Sequence, residues 1–265
     1  MGLTAGGDCR SLLACSRSIV DRMSFFTVAF PDDLGLIDLA TAPSLAGKFE
    51  LDYQVLPWVE PSTRDVELFM YRTGCLVGER RGRRAGRSYS QLGGDEVYIS
   101  GVGAETSRRI GQRRFDTLKT PLHPQALLAR FDFPLQPEIQ RRAGDWLAAM
   151  PGGFSRLDTL TLFSAEMSEF AWGLPLTTGY PEAYTYTLYP YAHRAILDSI
   201  LRLPASYRLS GRLRDDVTAT RWKELLNVPT NRTPLRIAIR RQFNRWKGRA
   251  KASLSWRSWR KLLRR

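Results

Sequence analysis

Thr4-Ala5-Gly6-Gly7-Asp8-Cys9-Arg10 is the stretch of this chain best suited to hold an anion. Its small residues form a turn, and Ser11-Leu12-Leu13-Ala14-Cys15 immediately after it predicts an apolar helix. A glycine turn that opens a helix gathers backbone N–H groups at the positive end of the helix dipole, where phosphates bind. The same residues equally suit a surface helix capped by Asp8. A second candidate is Glu96-Val97-Tyr98-Ile99-Ser100-Gly101-Val102-Gly103-Ala104-Glu105, a strand running into a glycine turn that ends on a carboxylate. A plain strand–turn–helix join would use the same residues. His123 and His193 are the only histidines, and neither has a Cys or acidic neighbour at metal-ligand spacing. No GxSxG motif is present, so a Ser-His-Asp hydrolase is not supported.

The elements that must position these turns alternate. Ser24–Phe30 is β-branched and aromatic and reads as a strand. A helix from Asp38 to Phe49 and a strand over Asp52–Pro57 follow, and turn, helix, strand, helix, strand is the order of a parallel α/β sheet. Arg64–Tyr71 is expected to be helical, Gly78–Arg87 to be a Gly/Arg loop with little means of burying itself, and Glu96–Ser100 to rejoin the sheet. Helices are expected over 138–150 and 157–172, where Leu157, Leu160, Thr161 and Ser164 recur at helical spacing, as do Phe163, Met167 and Phe170. Leu174–Tyr191 reads as a connection, and Ala192–Leu203 as a helix ended by Pro204.

Taken together, the turns resemble those of the asparagine synthetase-like enzymes, N-type ATP pyrophosphatases of the adenine nucleotide α-hydrolase-like superfamily. Thr4–Cys9 aligns without gaps with that family's SGGxDS phosphate loop, with Thr4, Ala5 and Cys9 as small replacements. Ser100-Gly101-Val102-Gly103-Ala104-Glu105 is similar to its SGxGxDE loop, with Glu105 for Asp and Thr106 for Glu. Asp38 fits the family's acidic helix start, and Tyr53 stands where it has a His. Tyr189–Arg194 and Leu201–Pro204 are similar to its PFLD segment and LP turn.

The resemblance implies an α/β fold with a HUP-like, Rossmann-type parallel sheet, helices on both faces and a mainly helical C-terminal part. It implies ATP and Mg²⁺ as cofactors and cleavage between the α- and β-phosphates. A carboxylate would be adenylated and then attacked by ammonia or an amine, giving an amide. Thr4, Ala5, Gly6, Gly7, Asp8 and Cys9 would receive the phosphates, although a Cys9 thiol is a weaker donor than a hydroxyl. Val28 and Ala29 would lie along the adenine, with Ser100 and Gly101 beside the phosphate loop. Asp8 and Glu105 are hard oxygen ligands suited to Mg²⁺, though Glu105 reads equally as a solvated helix-start carboxylate. The family's lysine near the reaction centre has no counterpart in Tyr207–Arg214, where Arg212 and Arg214 are the cations; arginine stabilises phosphate charge but does not shuttle a proton. Only Met1-Gly2-Leu3 stand where the family has a buried strand, and no glutaminase domain precedes them, so ammonia would arrive directly or from a separate glutaminase partner.

At 265 residues with 43% apolar content the chain can build one large core. The formal charge of +14 is concentrated in one place. Of 40 Lys and Arg, 13 fall between Arg232 and Arg265, where no Asp or Glu occurs, leaving 27 basic against 26 acidic groups elsewhere. The charge break divides a near-neutral body over 1–230, which the resemblance implies is an ATP-pyrophosphatase domain, from a basic amphipathic helical tail over 231–265. In the tail Leu235, Ile239, Phe243, Trp246 and Ala250 recur at helical steps, and Trp256, Trp259 and Leu263 continue them. Three readings stay open for 232–265: a helix packed on the domain, a helix on an anionic membrane surface, or, less favoured, a nucleic-acid contact. A protein that keeps the fold and acts only as a binding module through this tail is the rival to an enzyme. Three cysteines without a CxxC pair suit a reducing, cytoplasmic compartment. No run approaches the roughly 20 apolar residues of a membrane span.

Overall fold

Phe25–Ala29 forms strand β1, and a parallel segment of chain runs along each of its two edges. The computed structural model describes residues 1–75, 79–85, 87–92, 96–107, 122–131, 133–167, 186–231 and 233–239. Strand β2, Tyr53–Pro57, pairs with β1 in parallel register from Phe25 opposite Tyr53 to Ala29 opposite Pro57. On the other edge of β1, Gly2 bridges Phe26 in parallel, with Leu3 N–H donating to the Phe26 carbonyl at 2.7 Å. The Thr27 hydroxyl donates to the Leu3 carbonyl at 2.5 Å. Met1–Leu3 thus pair with the sheet and deliver the chain into the Thr4–Cys9 turn.

Parallel neighbours need crossovers. Helix α1, Gly7–Cys15, crosses from Leu3 to β1, and helix α2, Asp33–Lys48, crosses from β1 to β2. Both faces of β1 are consequently covered. Phe25 joins Leu3, Leu13, Leu45, Trp222 and Leu225 in one cluster, while Phe26, Val28 and Phe30 join Leu56 and Phe69 in another. A strand buried on both sides reads as a continuous apolar run, as this one does.

Helix α2 begins at Asp33, earlier than the expected Asp38, because the Asp32 carboxylate caps it by accepting from Gly35 N–H at 2.8 Å. Asp38 therefore lies inside the helix. Helix α3, Thr63–Arg72, is fixed by a reciprocal capping box between Ser62 and Asp65. The Gly/Arg stretch departs from expectation, since Glu79–Ala85 is a helix, α4. Its anchors are long-range. Gly82 lets the helix lie on Phe69, where a Cβ would come within 2.8 Å of the ring, and Arg84 stacks over Phe30 at 4.0 Å while pairing with Asp32 at 2.5 Å.

Strand β3, Val97–Ile99, pairs in parallel with β4, Tyr186–Leu188, which falls in the stretch expected to be a connection. The chain is thus α/β with parallel strand pairs. Helices α5, Pro124–Leu128, α6, Pro137–Ala148, and α7, Arg156–Ser164, close a separate apolar cluster around Leu127, Leu160 and Phe163. Residues 168–172 of the expected 157–172 helix, and 174–185 of the expected connection, lie outside the described residues.

Helices α8, Arg194–Leu201, α9, Ala205–Ser210, and α10, Leu213–Trp222, complete the helical part. Residues 235–239 are helical, and Ile237 is buried against Ala5 and Ile37, with Asn231 N–H donating to the Ala5 carbonyl at 2.9 Å. Ile237 of the basic stretch therefore sits against Ala5 of the phosphate-loop candidate, while Leu235 and Ile239 are exposed. Phe243, Trp246, Ala250, Trp256, Trp259 and Leu263 lie outside the described residues.

Candidate functional site

Helix α1 starts without a side-chain cap: Gly6, its N-cap in extended conformation, supplies no side-chain hydrogen bond to the first turn. The leading N–H groups of a helix have no acceptors within it, and Asp8 in the first turn complements the dipole. The turn itself is held from several sides. Ala5 N–H donates to Asp38 Oδ1 at 2.8 Å, and the Cys9 sulfur accepts from Thr4 N–H at 3.2 Å and lies 3.1 Å from the Thr4 hydroxyl. Cys9 is therefore an internal brace of the turn. Burial pushes its thiol pKa up, outweighing the opposing hydrogen bonds from Thr4, so the sulfur stays protonated at neutral pH.

The second glycine turn meets the first. A Cβ at Gly101 would lie 3.7 Å from Asp8 Cβ and 4.0 Å from Cys9 N, an ordinary contact distance. Beyond Gly101 the chain turns at Gly103, whose φ of +92° is a backbone conformation that favours glycine. Between the turns lies a cleft of about 290 Å³ that Thr4, Asp8, Cys9, Val28, Ser100, Gly101 and Glu105 all line. Ala5, Gly6, Gly7 and Ala29 belong to the same segments but do not line it.

Sequence reasoning missed part of the wall. Phe26, Tyr89 and Tyr98 form an aromatic group with centroids 5.7 to 6.1 Å apart, and all three line the cleft. Burial pushes the Tyr89 hydroxyl up to about 12. Asp38 also lines the cleft, and burial raises its carboxyl pKa despite the hydrogen bond from Ala5. Its helical repeat with Thr41, Ala42 and Leu45, all buried, was the available signal that it faces inward.

The two candidate arginines separate. Arg214 Nη1 donates to Asp8 Oδ1 at 2.8 Å, placing its guanidinium beside the phosphate-loop candidate and behind Gly7. Arg212 points elsewhere, pairing with Asp216 at 3.3 Å with 70% of its side chain exposed, so it does not join the site. Among the described residues, none that lines the cleft is Lys or Arg.

For a metal the charged groups that the cleft offers are carboxylates, beside the hydroxyls of Thr4 and Ser100 and the protonated Cys9 thiol. Among the described residues no group of three or more His, Cys, Asp or Glu is arranged to hold an ion by itself. Asp8 and Glu105 on one cleft fit a cation that takes one or two carboxylates and completes its shell from phosphate oxygens and water, which is the habit of Mg²⁺.

No family model, no curated protein and no solved structure matches the chain. Among the described residues no helix is long and apolar enough to cross a membrane.

Proposed function

We propose that the cleft binds ATP with Mg²⁺ and that the chain is an ATP-dependent carbon–nitrogen ligase of the asparagine synthetase type. It would adenylate a carboxylate with release of pyrophosphate, and ammonia or an amine would then take the acyl group with release of AMP. The observation that carries this is the contact of the Thr4–Cys9 turn with the Ser100–Glu105 turn, which brings Asp8 and Glu105 to one cleft. The parallel strand pairs, with Met1–Leu3 beside β1, support a HUP-like sheet as the frame.

In this reading the N–H groups opening α1 receive the phosphates, and the Thr4 hydroxyl adds a donor at the mouth of the turn. Adenine lies along Val28 with the Phe26, Tyr89 and Tyr98 wall beside it, an apolar slot suited to a planar base. Asp8 and Glu105 would hold Mg²⁺, which supplies neutralising charge for the pyrophosphate leaving group. Arg214 stands behind the turn as a cation for charge developing on the phosphates.

A second reading draws on the cation count: among the described residues no Lys or Arg lines the cleft, and Arg214 is already engaged by Asp8. On that reading the cleft holds nucleotide without turning it over. The chain then works as a cytoplasmic binding module, with 232–265 on a partner or an anionic membrane surface. Pyrophosphate release from ATP and Mg²⁺, with ammonia and a panel of carboxylates, separates the two. Release that depends on one carboxylate supports the ligase; ATP binding without release on any carboxylate supports the module.

A further inference from the structure

Asp8, Ser11, Leu12 and Cys15 fall at helical spacing, so one stripe of α1 leads away from the nucleotide cleft. Along that stripe lies a second cavity of about 380 Å³, within the size range of small-ligand sites. Its walls are apolar: Leu12, Ile196, Ile200, Leu203, Leu213 and Val217. Its polar groups are nearly all spent. The Ser11 hydroxyl donates to the Gly7 or Asp8 carbonyl, 3.1 and 3.0 Å away, and the Tyr191 hydroxyl bonds Ser11 and the Asp8 carbonyl.

Arg214 is the exception. It uses Nη1 on Asp8, lines the cavity, and keeps a quarter of its side chain exposed. A guanidinium carries five N–H donors in a planar fork that matches a carboxylate. A purely apolar ligand would leave those donors unmet, and a cation would be repelled. Because Asp8 already neutralises part of the charge, a head group with a single negative charge is enough to complete the balance in this cavity.

The geometry points to a binding site for an aliphatic monocarboxylate, its chain between α8 and α10 and its head on Arg214. The site does not rest on the nucleotide reading, and its test is run without ATP.

Cys15 lines the cavity and Cys75 lies elsewhere, and both are exposed, so alkylation of the full chain by iodoacetamide reports occupancy with an internal reference. Decanoate is expected to slow modification of Cys15 saturably and to leave Cys75 unchanged, while decanol at equal concentration protects far less. Arg214→Gln removes the charge-assisted bonds and should weaken decanoate protection about tenfold. Ile196→Trp, at the half-exposed rim, should abolish protection while ATP binding, measured separately, stays as in the parent. Equal protection by decanol and decanoate, no protection of Cys15 by decanoate, or full protection in Arg214→Gln would each overturn the assignment.

Discussion

Arg214 Nη1 and Asp8 Oδ1 lie 2.8 Å apart, so the carboxylate proposed for the metal is held by the cation proposed for the phosphates. The two side chains are 25% and 21% exposed, which leaves the pair well screened from bulk water but still hydrated. A double-mutant cycle with Asp8→Asn and Arg214→Gln, read by urea unfolding, should give a coupling energy of about 1–2 kcal/mol. Additivity of the two single changes would show that the pair contributes nothing to the fold.

Gly35 has the tightest steric requirement of the described glycines. A Cβ there would lie 2.2 Å from the Phe30 carbonyl oxygen, a backbone atom that cannot swing aside without moving the end of β1. Gly35→Ala should cost about 3 kcal/mol or more, seen as a lower urea midpoint. A change within error would mean that α2 and β1 are not so closely apposed.

Asp38 ties stability to pH. Burial raises its carboxyl above the ordinary 3.8, so the folded state holds its proton more tightly than the unfolded chain. Stability from this group is present below the ordinary value and is lost as pH rises through the raised one. Asp38→Asn keeps an acceptor for Ala5 N–H, so it should raise the melting temperature at pH 7 and change it less at pH 4. The opposite ordering would contradict a raised pKa.

Ile237 is 1% exposed against Ala5 and Ile37. Ile237→Ala should cost about 2–4 kcal/mol and speed amide exchange in Thr4–Cys9, because the base of the tail braces the turn. Loss of stability without faster exchange there would show that the contact does not reach the turn.

The strands and turns of the first sixty residues were legible because their signals are local: a β-branched apolar run and glycines. What escaped depends on partners distant in sequence. Helix α4 is held by Phe69, Phe30 and Asp32, none of which its Gly/Arg composition announces. Strand β4 is three residues long with one buried side chain, too short for alternation to declare itself. Arg212 and Arg214 looked equivalent as neighbours in one basic segment. They flank the start of α10, and two helical steps turn a side chain by about 200°, so only Arg214 reaches Asp8. The cleft residues came from matching two turns, whereas Phe26, Tyr89 and Tyr98 converge only through packing.

Equilibrium binding of ATP in the presence of Mg²⁺ to the full chain, by calorimetry, tests the central claim most directly. The parent should bind with a dissociation constant of about 1 mM or tighter, within the usual range for enzyme substrates, and Asp8→Asn should weaken binding at least tenfold. No heat at saturating nucleotide, or equal affinity in Asp8→Asn, would contradict a nucleotide site between the two glycine turns.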